Sequence, residues 1–443
     1  MGKKNKTDPE STGSKGKKGK PSFEFLNVRF DKIERDTVIR HIVLLIAASL
    51  LTKLVLVFVT TFIFQSFIDL FDIGFYFDHA KLLLQGQLPY VNYSFDYPVL
   101  VFVPITIAFV PALLLQNAMV FVYSFQILMV LADIVTILCI YFIALRLWDE
   151  KRAFFAGLIY ATAFSTAYFV LTKYDAFPTA FLMAAILFTV YGMNIKGYLS
   201  ATLGFFAKIF PAIAFPFMIL YNAKDTSIKE EIVSVLKIVV PISIVLFLPI
   251  LLIRPDVINT YLFATGSSVG IYANTATNTI CFWLQDIGHI GIPGSTVSLF
   301  MYILMGLFLL LLVFVAYIDT KKNPVTLLKI LLCAIFCLVF FTKFHSPQYI
   351  VWFTPFLCLL VVDSPYKIIL FYLTQVFAYI EFPLMFGRYY TNLEYASTVG
   401  SSDWYLTLFF FTAEYVALLV LIFLTVRPDT GIMKRIRTLN IGK

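Results

Sequence analysis

The sequence predicts an all-α protein that crosses a membrane many times. Hydrophobic residues make up 60% of its 443 residues and charged residues only 14%, whereas soluble domains hold about 45–50% apolar and about 25% charged residues. The mean hydropathy is +0.87, and apolar runs of spanning length recur from residue 42 to residue 426. The predicted fold class is therefore a polytopic bundle of about 12 transmembrane helices.

The two ends of the chain are basic and are expected on the cytoplasmic side. The first 40 residues hold eleven Lys or Arg against six Asp or Glu, and positive charge collects in cytoplasmic segments. We predict a basic, partly disordered tail at 1–40, a transmembrane domain at 41–426 and a second basic tail at 427–443. The first apolar run, 42–64, exceeds the roughly 7–15-residue core of a signal peptide, so a retained helix is expected.

Twelve apolar runs are candidate spans. They are residues 42–64, 99–115, 118–145, 153–172, 176–193, 197–222, 232–253, 296–317, 325–342, 349–362, 366–386 and 404–426. The basic loops all fall inside if 99–115, with Pro104 and Pro111, lies re-entrant or along the outer interface. The run 197–222 must then form two short helices that meet near Lys208 on the outer side. Both termini are cytoplasmic in this topology.

The extracytoplasmic side is predicted to be the working face, because many of the unusual polar residues collect there. It receives loops at about 66–98, 254–295 and 387–403. A phosphate-binding loop, a dinucleotide fingerprint, His-Glu-x-x-His and Gly-x-Ser-x-Gly are absent from the sequence. The five cysteines lie mainly in apolar runs and indicate neither a disulfide framework nor a zinc site.

The first external loop carries the most informative pattern. Asp72, Tyr76 and Ala80 are spaced by four and would share one face of a helix. Gly86, Pro89-Tyr90 and Tyr97-Pro98-Val99-Leu100 follow in that order.

This order resembles the first extracytoplasmic loop of the GT-C superfamily, integral-membrane glycosyltransferases that use sugars attached to polyprenyl phosphate. The branch it resembles contains prokaryotic α-mannosyltransferases, and Val99 stands where that branch has a second proline. The resemblance continues at Asp175, at Lys208-x-x-Pro211, and at Lys343-Phe-His345-Ser-Pro-Gln348-Tyr349-x-x-Trp352, and so covers most of the chain.

The resemblance implies that Asp72 is the catalytic base. A sugar hydroxyl is a poor nucleophile, and a carboxylate within hydrogen-bond reach accepts its proton as the glycosidic bond forms. A solvated loop acid or a helix cap is the alternative. Asp175 would be a supporting acid, with a helix N-cap as its alternative.

The leaving phosphate requires nearby cations. The candidates for binding it are Lys208, His345, Lys343 and Arg388, for which snorkelling anchors are the competing account. Residues expected to bind the acceptor or the sugar are Tyr76, Asp78, His79, Asp96, Tyr97 and Gln348.

Four ionisable residues are predicted within spans. We interpret Lys53 and Asp133 as a structural ion pair, because isolated charges are costly within a membrane. A proton relay is the alternative. The sequence does not decide the roles of Glu381 and Glu414. The loop 254–295 is rich in aromatic and amide groups that either cover the site and select the acceptor or simply connect two spans.

The function that the resemblance implies is transfer of one hexose, with mannose as first candidate, from a polyprenyl phosphate such as dolichyl phosphate to a glycan or glycolipid of the cell envelope. The reaction would invert the anomeric centre at the outer face of a prokaryotic cytoplasmic membrane. We expect no cofactor, no metal and no nucleic-acid partner. A secondary transporter, and a lipid-linked glycan polymerase or ligase, are the alternatives.

Overall fold

A computed structural model describes residues 22–31, 33–93, 95, 97–256, 270–272, 274–319, 322–385 and 402–427. The helices are α1 (Arg35–Phe58), α2 (Phe71–Leu84), α3 (Phe102–Leu115), α4 (Ala118–Leu147), α5 (Glu150–Ala161), α6 (Phe164–Thr172), α7 (Ala176–Val190), α8 (Asn194–Ala207), α9 (Ala214–Asn222), α10 (Ile228–Ile253), α11 (Ala276–Phe282), α12 (Gly294–Ile318), α13 (Pro324–Phe341), α14 (Ile350–Val361), α15 (Pro365–Tyr379) and α16 (Ser402–Val426). Short 3₁₀ or π segments lie at Val59–Ile63, Gln65–Phe67, Val99–Val101, Phe210–Ile213, Trp283–Ile287, Pro347–Tyr349 and Ile380–Met385.

Within these ranges, seven helices are long and apolar enough to cross a membrane. They are Arg35–Ile63, Ala118–Leu147, Ile228–Ile253, Gly294–Ile318, Pro324–Phe341, Pro365–Met385 and Trp404–Val426. The pair α5 and α6, bent by 58°, makes an eighth if it is one span. The predicted fold class, an all-α polytopic membrane protein, is confirmed. The run 153–172, predicted as one continuous helix, is broken at Thr162 and Ala163, where Ala163 leaves helical geometry.

Shorter apolar helices complete the bundle. They are Val99–Leu115, Ala176–Val190, Phe210–Asn222 and Pro347–Val361. Val99–Leu115 rises about 26 Å at helical geometry against a hydrocarbon core of about 30 Å, and its predicted re-entrant or interfacial placement stays a prediction. The figure of about 12 crossings also requires shorter helices to cross, and it stays a prediction.

The break at Lys208 is confirmed. α8 ends at Ala207, Lys208 is extended, and a 3₁₀ turn leads into α9. Pro211 lies in that turn and cannot donate a helical hydrogen bond. Gly204 lets the turn fold back, because a Cβ there would lie 3.1 Å from Pro211 Cβ and 3.2 Å from Phe181 Cβ.

A small hairpin precedes α1 and was not predicted. β1 (Ser22–Phe25) and β2 (Val28–Asp31) pair antiparallel around a turn in which Leu26 and Asn27 have positive φ. The Phe25 ring stacks on Phe142 at 3.6 Å between centroids. The structured part of the chain therefore begins inside the segment assigned to the tail, and α1 begins at Arg35. Residues 1–21, predicted to be disordered, lie outside the described residues.

The predicted pair between Lys53 and Asp133 is confirmed. Lys53 Nζ lies 2.7 Å from Asp133 Oδ2, and both side chains are buried. Ser49 donates to the same oxygen and Tyr160 donates to Asp133 Oδ1. Asp133 is thus satisfied on both oxygens, as a buried carboxylate requires.

The loops predicted on opposite sides of the membrane occupy separate parts of the structure. Residues from the loops predicted inside line one cavity of about 350 Å³, which includes Arg146, Gly192 and Lys322. The predicted external residues Asp72 and Lys173 meet elsewhere, at the start of α2. Residues predicted inside therefore lie near one another, and so do Asp72 and Lys173, which are predicted outside. The cellular side of each set stays a prediction.

Candidate active site

The first turn of α2 carries Asp72. Asp69 begins this turn, because its Oδ1 accepts a hydrogen bond of 3.0 Å from the Phe71 backbone amide. The segment is helical, so Asp72, Tyr76 and Ala80 share one face, and Tyr76 and Ala80 are buried. The helix therefore fixes Asp72 at a partly covered position, with its side chain 17% exposed.

Lys173 joins two acids of this turn. Its Nζ lies 2.6 Å from Asp69 Oδ2 and 3.1 Å from Asp72 Oδ2. Lys173 occupies the turn between α6 and α7, so this contact locks the first loop to the bundle. Asp72 Oδ1 makes no hydrogen bond to any residue that the structure describes.

The electrostatics of Asp72 suit a base. Burial raises the pKa of Asp72 above its usual value, while the Lys173 ammonium opposes that rise and the negative charges of Asp69 and Asp175 add to it. A carboxylate that holds a proton more tightly accepts one more readily from a hydroxyl. Asp72 is therefore a better base than an exposed aspartate.

Asp175 lies at the start of α7 without capping it. Its side chain makes no capping hydrogen bond, so the helix-cap interpretation does not hold. Instead Oδ1 lies 2.6 Å from Lys208 Nζ and accepts a bond of 2.5 Å from Trp352 Nε1. Asp175 Oδ2 is buried and has no partner among the described residues, which leaves one acceptor open.

Aromatic rings surround the two acids. The Tyr97 ring lies 6.0 Å from Tyr76 and 5.1 Å from Tyr174. Burial, followed by the charges of Asp72 and Asp175, raises the pKa of Tyr97. Tyr76 and Tyr97, whose pKa values burial raises, therefore stay neutral at pH 7.

Lys208 lies within an aromatic enclosure. Its ammonium is 4.7 Å from the ring centroid of Tyr174, 5.1 Å from Trp352 and 5.4 Å from Tyr349. With Asp175 as its ion-pair partner, Lys208 has less free charge for a phosphate than its sequence position suggests.

The predicted phosphate-binding residues Lys343 and His345 differ in charge. The Lys343 side chain is half-buried, and its ammonium has no ion-pair or hydrogen-bond partner in the described part of the chain. His345 is buried, its Nδ1 has no described partner, and burial lowers its pKa to about 4. His345 is thus neutral at pH 7 and carries no positive charge for a phosphate.

Other predicted site residues lie apart from the acids or outside the described residues. Asp78 is 71% exposed and pairs with Lys81 at 3.3 Å. His79 Nδ1 donates to the Phe75 carbonyl at 2.7 Å, and its ring contacts Phe75 and Phe95. Gln348 is half-buried in the turn before α14. Asp96 and Arg388 lie outside the described residues.

Three residues of the site were not assigned a role from the sequence. Asp69 and Lys173 hold Asp72, and Trp352 holds Asp175. Trp352 belongs to the motif that begins at Lys343, and that motif could have indicated that Trp352 is part of the site. For Asp69, the signal was its position three residues before Asp72.

An apolar groove lies between α3, α4, α7 and α8. Its volume is about 670 Å³, and its lining is apolar apart from Lys196 and Ser200. Phe177 lines it two residues after Asp175, and Val103 lines it from the start of α3. The groove therefore runs along helices of the bundle and shares α7 with Asp175.

The loop 254–295 reaches into the bundle instead of lying only over it. Asn274 is buried and donates to Glu381 Oε1 at 2.5 Å, and Tyr415 donates to the Asn274 carbonyl at 2.6 Å. Glu381 and Glu414 interact with each other. Residues 257–269 and 273 lie outside the described residues, so the predicted covering role stays a prediction.

A metal centre has no candidate in the described ranges, which contain no group of three or more His, Cys, Asp or Glu able to hold an ion. The acids of the site instead contact lysines.

The fold and this site define an integral membrane protein with a buried acid–lysine cluster. No family model matches the chain, and no curated protein matches it. Among solved structures, the crystal structure of ArnT from Cupriavidus metallidurans in the apo state is similar, with a TM-score of 0.46, 12% identity, and coverage of 87% of this chain and 77% of that chain. A similarity of this size does not transfer an activity, so the function rests on the side chains.

Proposed function

We propose that this protein is a GT-C-type glycosyltransferase that moves a hexose from a polyprenyl-phosphate donor to a hydroxyl of a glycan or glycolipid. Mannose is the first candidate, because the motif order of the first loop resembles mannosyltransferases. The observation that carries the proposal is the carboxylate of Asp72, which is desolvated, held through Oδ2 and open at Oδ1. The reaction would occur at the extracytoplasmic face of a prokaryotic cytoplasmic membrane.

The proposed step is a direct displacement at the anomeric carbon. The acceptor hydroxyl oxygen bonds to that carbon while Asp72 Oδ1 takes its proton. The bond from the carbon to the phosphate oxygen breaks, and the polyprenyl phosphate leaves with the electron pair. Attack opposite the leaving group inverts the anomeric configuration and forms no covalent intermediate with the protein.

Positive charge for the leaving phosphate would come first from Lys343. Its half-buried ammonium has no described partner, and a fixed cation stabilises charge that grows in the transition state. His345, neutral in its buried position, would contribute a hydrogen bond. Lys208 would contribute less charge because it pairs with Asp175, and Arg388 is proposed from the sequence alone.

Sugar hydroxyls would bind among the acids and tyrosines. Asp175 Oδ2 is a buried acceptor without a described partner, and such an atom costs about 1–3 kcal/mol until a donor reaches it. Tyr76 and Tyr97 offer rings and hydroxyls beside it. These contacts would orient the sugar towards Asp72.

The isoprenoid chain of the donor would lie in the apolar groove. The groove of about 670 Å³ is bounded by α3, α4, α7 and α8 and is lined by Phe177, two residues after Asp175 in the sequence, and apolar surface favours an apolar chain. This placement brings the phosphate to the boundary where the lysines lie. The donor then needs no nucleotide-binding domain.

The test is transfer by the purified protein in nanodiscs, with radiolabelled polyprenyl-phosphate mannose, a panel of other polyprenyl-phosphate hexoses and a membrane glycolipid extract. Label should move from one donor to a lipid or glycan product whose new linkage has the inverted configuration. Nanodiscs without the protein provide the background. Failure with every donor would contradict the proposal and favour a secondary transporter.

A further inference from the structure

Lys173 is shared by two carboxylates and held on a third side by a ring. Its ammonium contacts Asp69 at 2.6 Å and Asp72 at 3.1 Å, and it lies 5.7 Å from the centroid of the Phe382 ring. The side chain is 8% exposed. A lysine held in this way has little freedom to turn away from either acid.

Asp69 links this charge to the backbone of α2. Oδ1 accepts from the Phe71 amide, while Oδ2 holds Lys173. The same side chain therefore fixes both the start of the helix that carries Asp72 and the cation that contacts Asp72. Loss of the Asp69–Lys173 contact would leave more of the Lys173 charge to Asp72.

We propose that Lys173 and Asp69 are positioning residues for Asp72: Lys173 fixes the orientation of the carboxylate through Oδ2, and Asp69 limits the share of the ammonium charge that reaches it. The inference rests on the proposed function of Asp72 as base. It goes further by assigning opposite effects to two residues that do not touch the substrate.

The physical reason is the balance of charge. A carboxylate with a buried cation of its own has its pKa lowered by about 1–3, which would make Asp72 a weak base. Since Asp69 makes the shorter contact with Lys173, Asp72 receives only part of that stabilisation. Asp72 keeps a fixed orientation and a raised pKa at the same time.

Several charged or titratable groups act on Asp72 from the surrounding elements. They are Asp69 from the turn before α2, Lys173 and Asp175 from the turn between α6 and α7, Tyr76 from α2, and Tyr97 from the loop before α3. The two tyrosines are neutral at pH 7. The balance near neutral pH is therefore set by Lys173 against Asp69 and Asp175.

The first test measures the protonation of Asp72 without turnover. The purified protein in nanodiscs is treated with a hydrophobic carbodiimide, which reacts with protonated carboxyl groups, and labelling of Asp72 is quantified by mass spectrometry against pH. The midpoint should rise by about one pH unit in Lys173→Met and fall by about one in Asp69→Asn. Asn keeps an oxygen to accept from Phe71, so the helix start is preserved.

The second readout is the pH dependence of kcat/KM for transfer. Its acidic limb should move in the same opposite directions, and Lys173→Arg, which keeps the charge, should lie near wild type. Lys367→Met, in the surface pair with Asp363, is the matched control and should not move. Size-exclusion profiles identify a variant that fails to fold. If Lys173→Met fails to fold, the comparison of the single variants Asp69→Asn and Lys173→Arg carries the test.

The outcomes separate this inference from the proposed function. Unchanged midpoints, or midpoints that move in the same direction in Lys173→Met and Asp69→Asn, would overturn the shared-lysine arrangement even if transfer occurs. Opposite shifts in labelling without transfer by any donor would support the arrangement and contradict the glycosyltransferase.

Discussion

At the scale of single residues, the sequence predicted the candidate base, Asp72, but not the groups that hold its carboxylate. Asp72 was reached through the order of Tyr76, Ala80 and the later loop motif. Its contact with Lys173 joins two distant parts of the chain, and no local spacing encodes such a pair. The sequence also could not predict that His345 is neutral, because burial in the fold is what lowers its pKa to about 4.

The pH dependence of transfer follows from the raised pKa of Asp72. The base works as the carboxylate, so activity is present above that pKa and is lost as pH falls through it. The loss should therefore occur at a higher pH than the usual range of an exposed aspartate. A profile of kcat/KM against pH measures this limb. Activity that is flat through the acidic range would contradict Asp72 as base.

Lys343 tests the position of the donor phosphate. Lys343→Met removes an ammonium that has no partner among the described residues, so the variant should keep its fold. Hydrogen bonds to charged groups contribute about 1.5–3 kcal/mol, which predicts a roughly tenfold or larger rise in KM for the donor. Initial rates at varied donor concentration give the value, with Lys329→Met as a control, since Lys329 contacts a backbone carbonyl at the end of α16. An unchanged KM would remove Lys343 from the phosphate site.

At the scale of elements, hydropathy and proline positions predicted most helices, and the side-chain pattern of the hairpin was overlooked. Phe23, Phe25, Val28 and Phe30 alternate with polar residues, which is a strand signal, but the basic composition favoured a tail. The bend between α5 and α6 contains no proline or glycine that would have predicted it. At this bend, Thr162 Oγ1 lies 2.6 Å from Tyr372 Oη, within hydrogen-bond distance. This tertiary contact joins distant parts of the chain, so local sequence does not predict it.

The Lys53–Asp133 pair between α1 and α4 should contribute to stability rather than catalysis. Lys53→Met leaves Asp133 buried without its cation, and breaking such a pair costs about 3–5 kcal/mol. Thermal unfolding in detergent should show a clearly lower Tm, and Lys53→Met combined with Asp133→Leu should recover much of the loss. Lys367→Met, in a surface pair, should change the Tm little. A wild-type Tm for Lys53→Met would indicate that the pair has another role.

At the scale of the whole molecule, the distribution of basic loops predicted which polar residues would converge. The acids and lysines of the predicted external turns meet around α2 and α7, while Arg146 and Lys322 line a different cavity. The count of crossings was less predictable, because α3, α7 and α9 are shorter than a full span. Hydropathy alone does not separate a short crossing from a re-entrant segment.

Cysteine labelling tests the orientation of the molecule. The five native cysteines are buried, so a membrane-impermeant maleimide should give little background. In intact cells it should label Gln87→Cys, which lies at an exposed position after α2, and label Lys151→Cys, exposed on α5, only after permeabilisation. The reverse pattern would place the proposed site on the cytoplasmic side.

The central claim, that Asp72 is the base of a sugar transfer, is tested most directly by one rate ratio. Single-turnover transfer is measured for wild type and Asp72→Asn with a saturating polyprenyl-phosphate sugar, so that donor affinity does not enter. Asn preserves the shape of the side chain and removes its capacity to take a proton. The account predicts a loss of about 10²–10⁴-fold, and equal rates for the two proteins would contradict it.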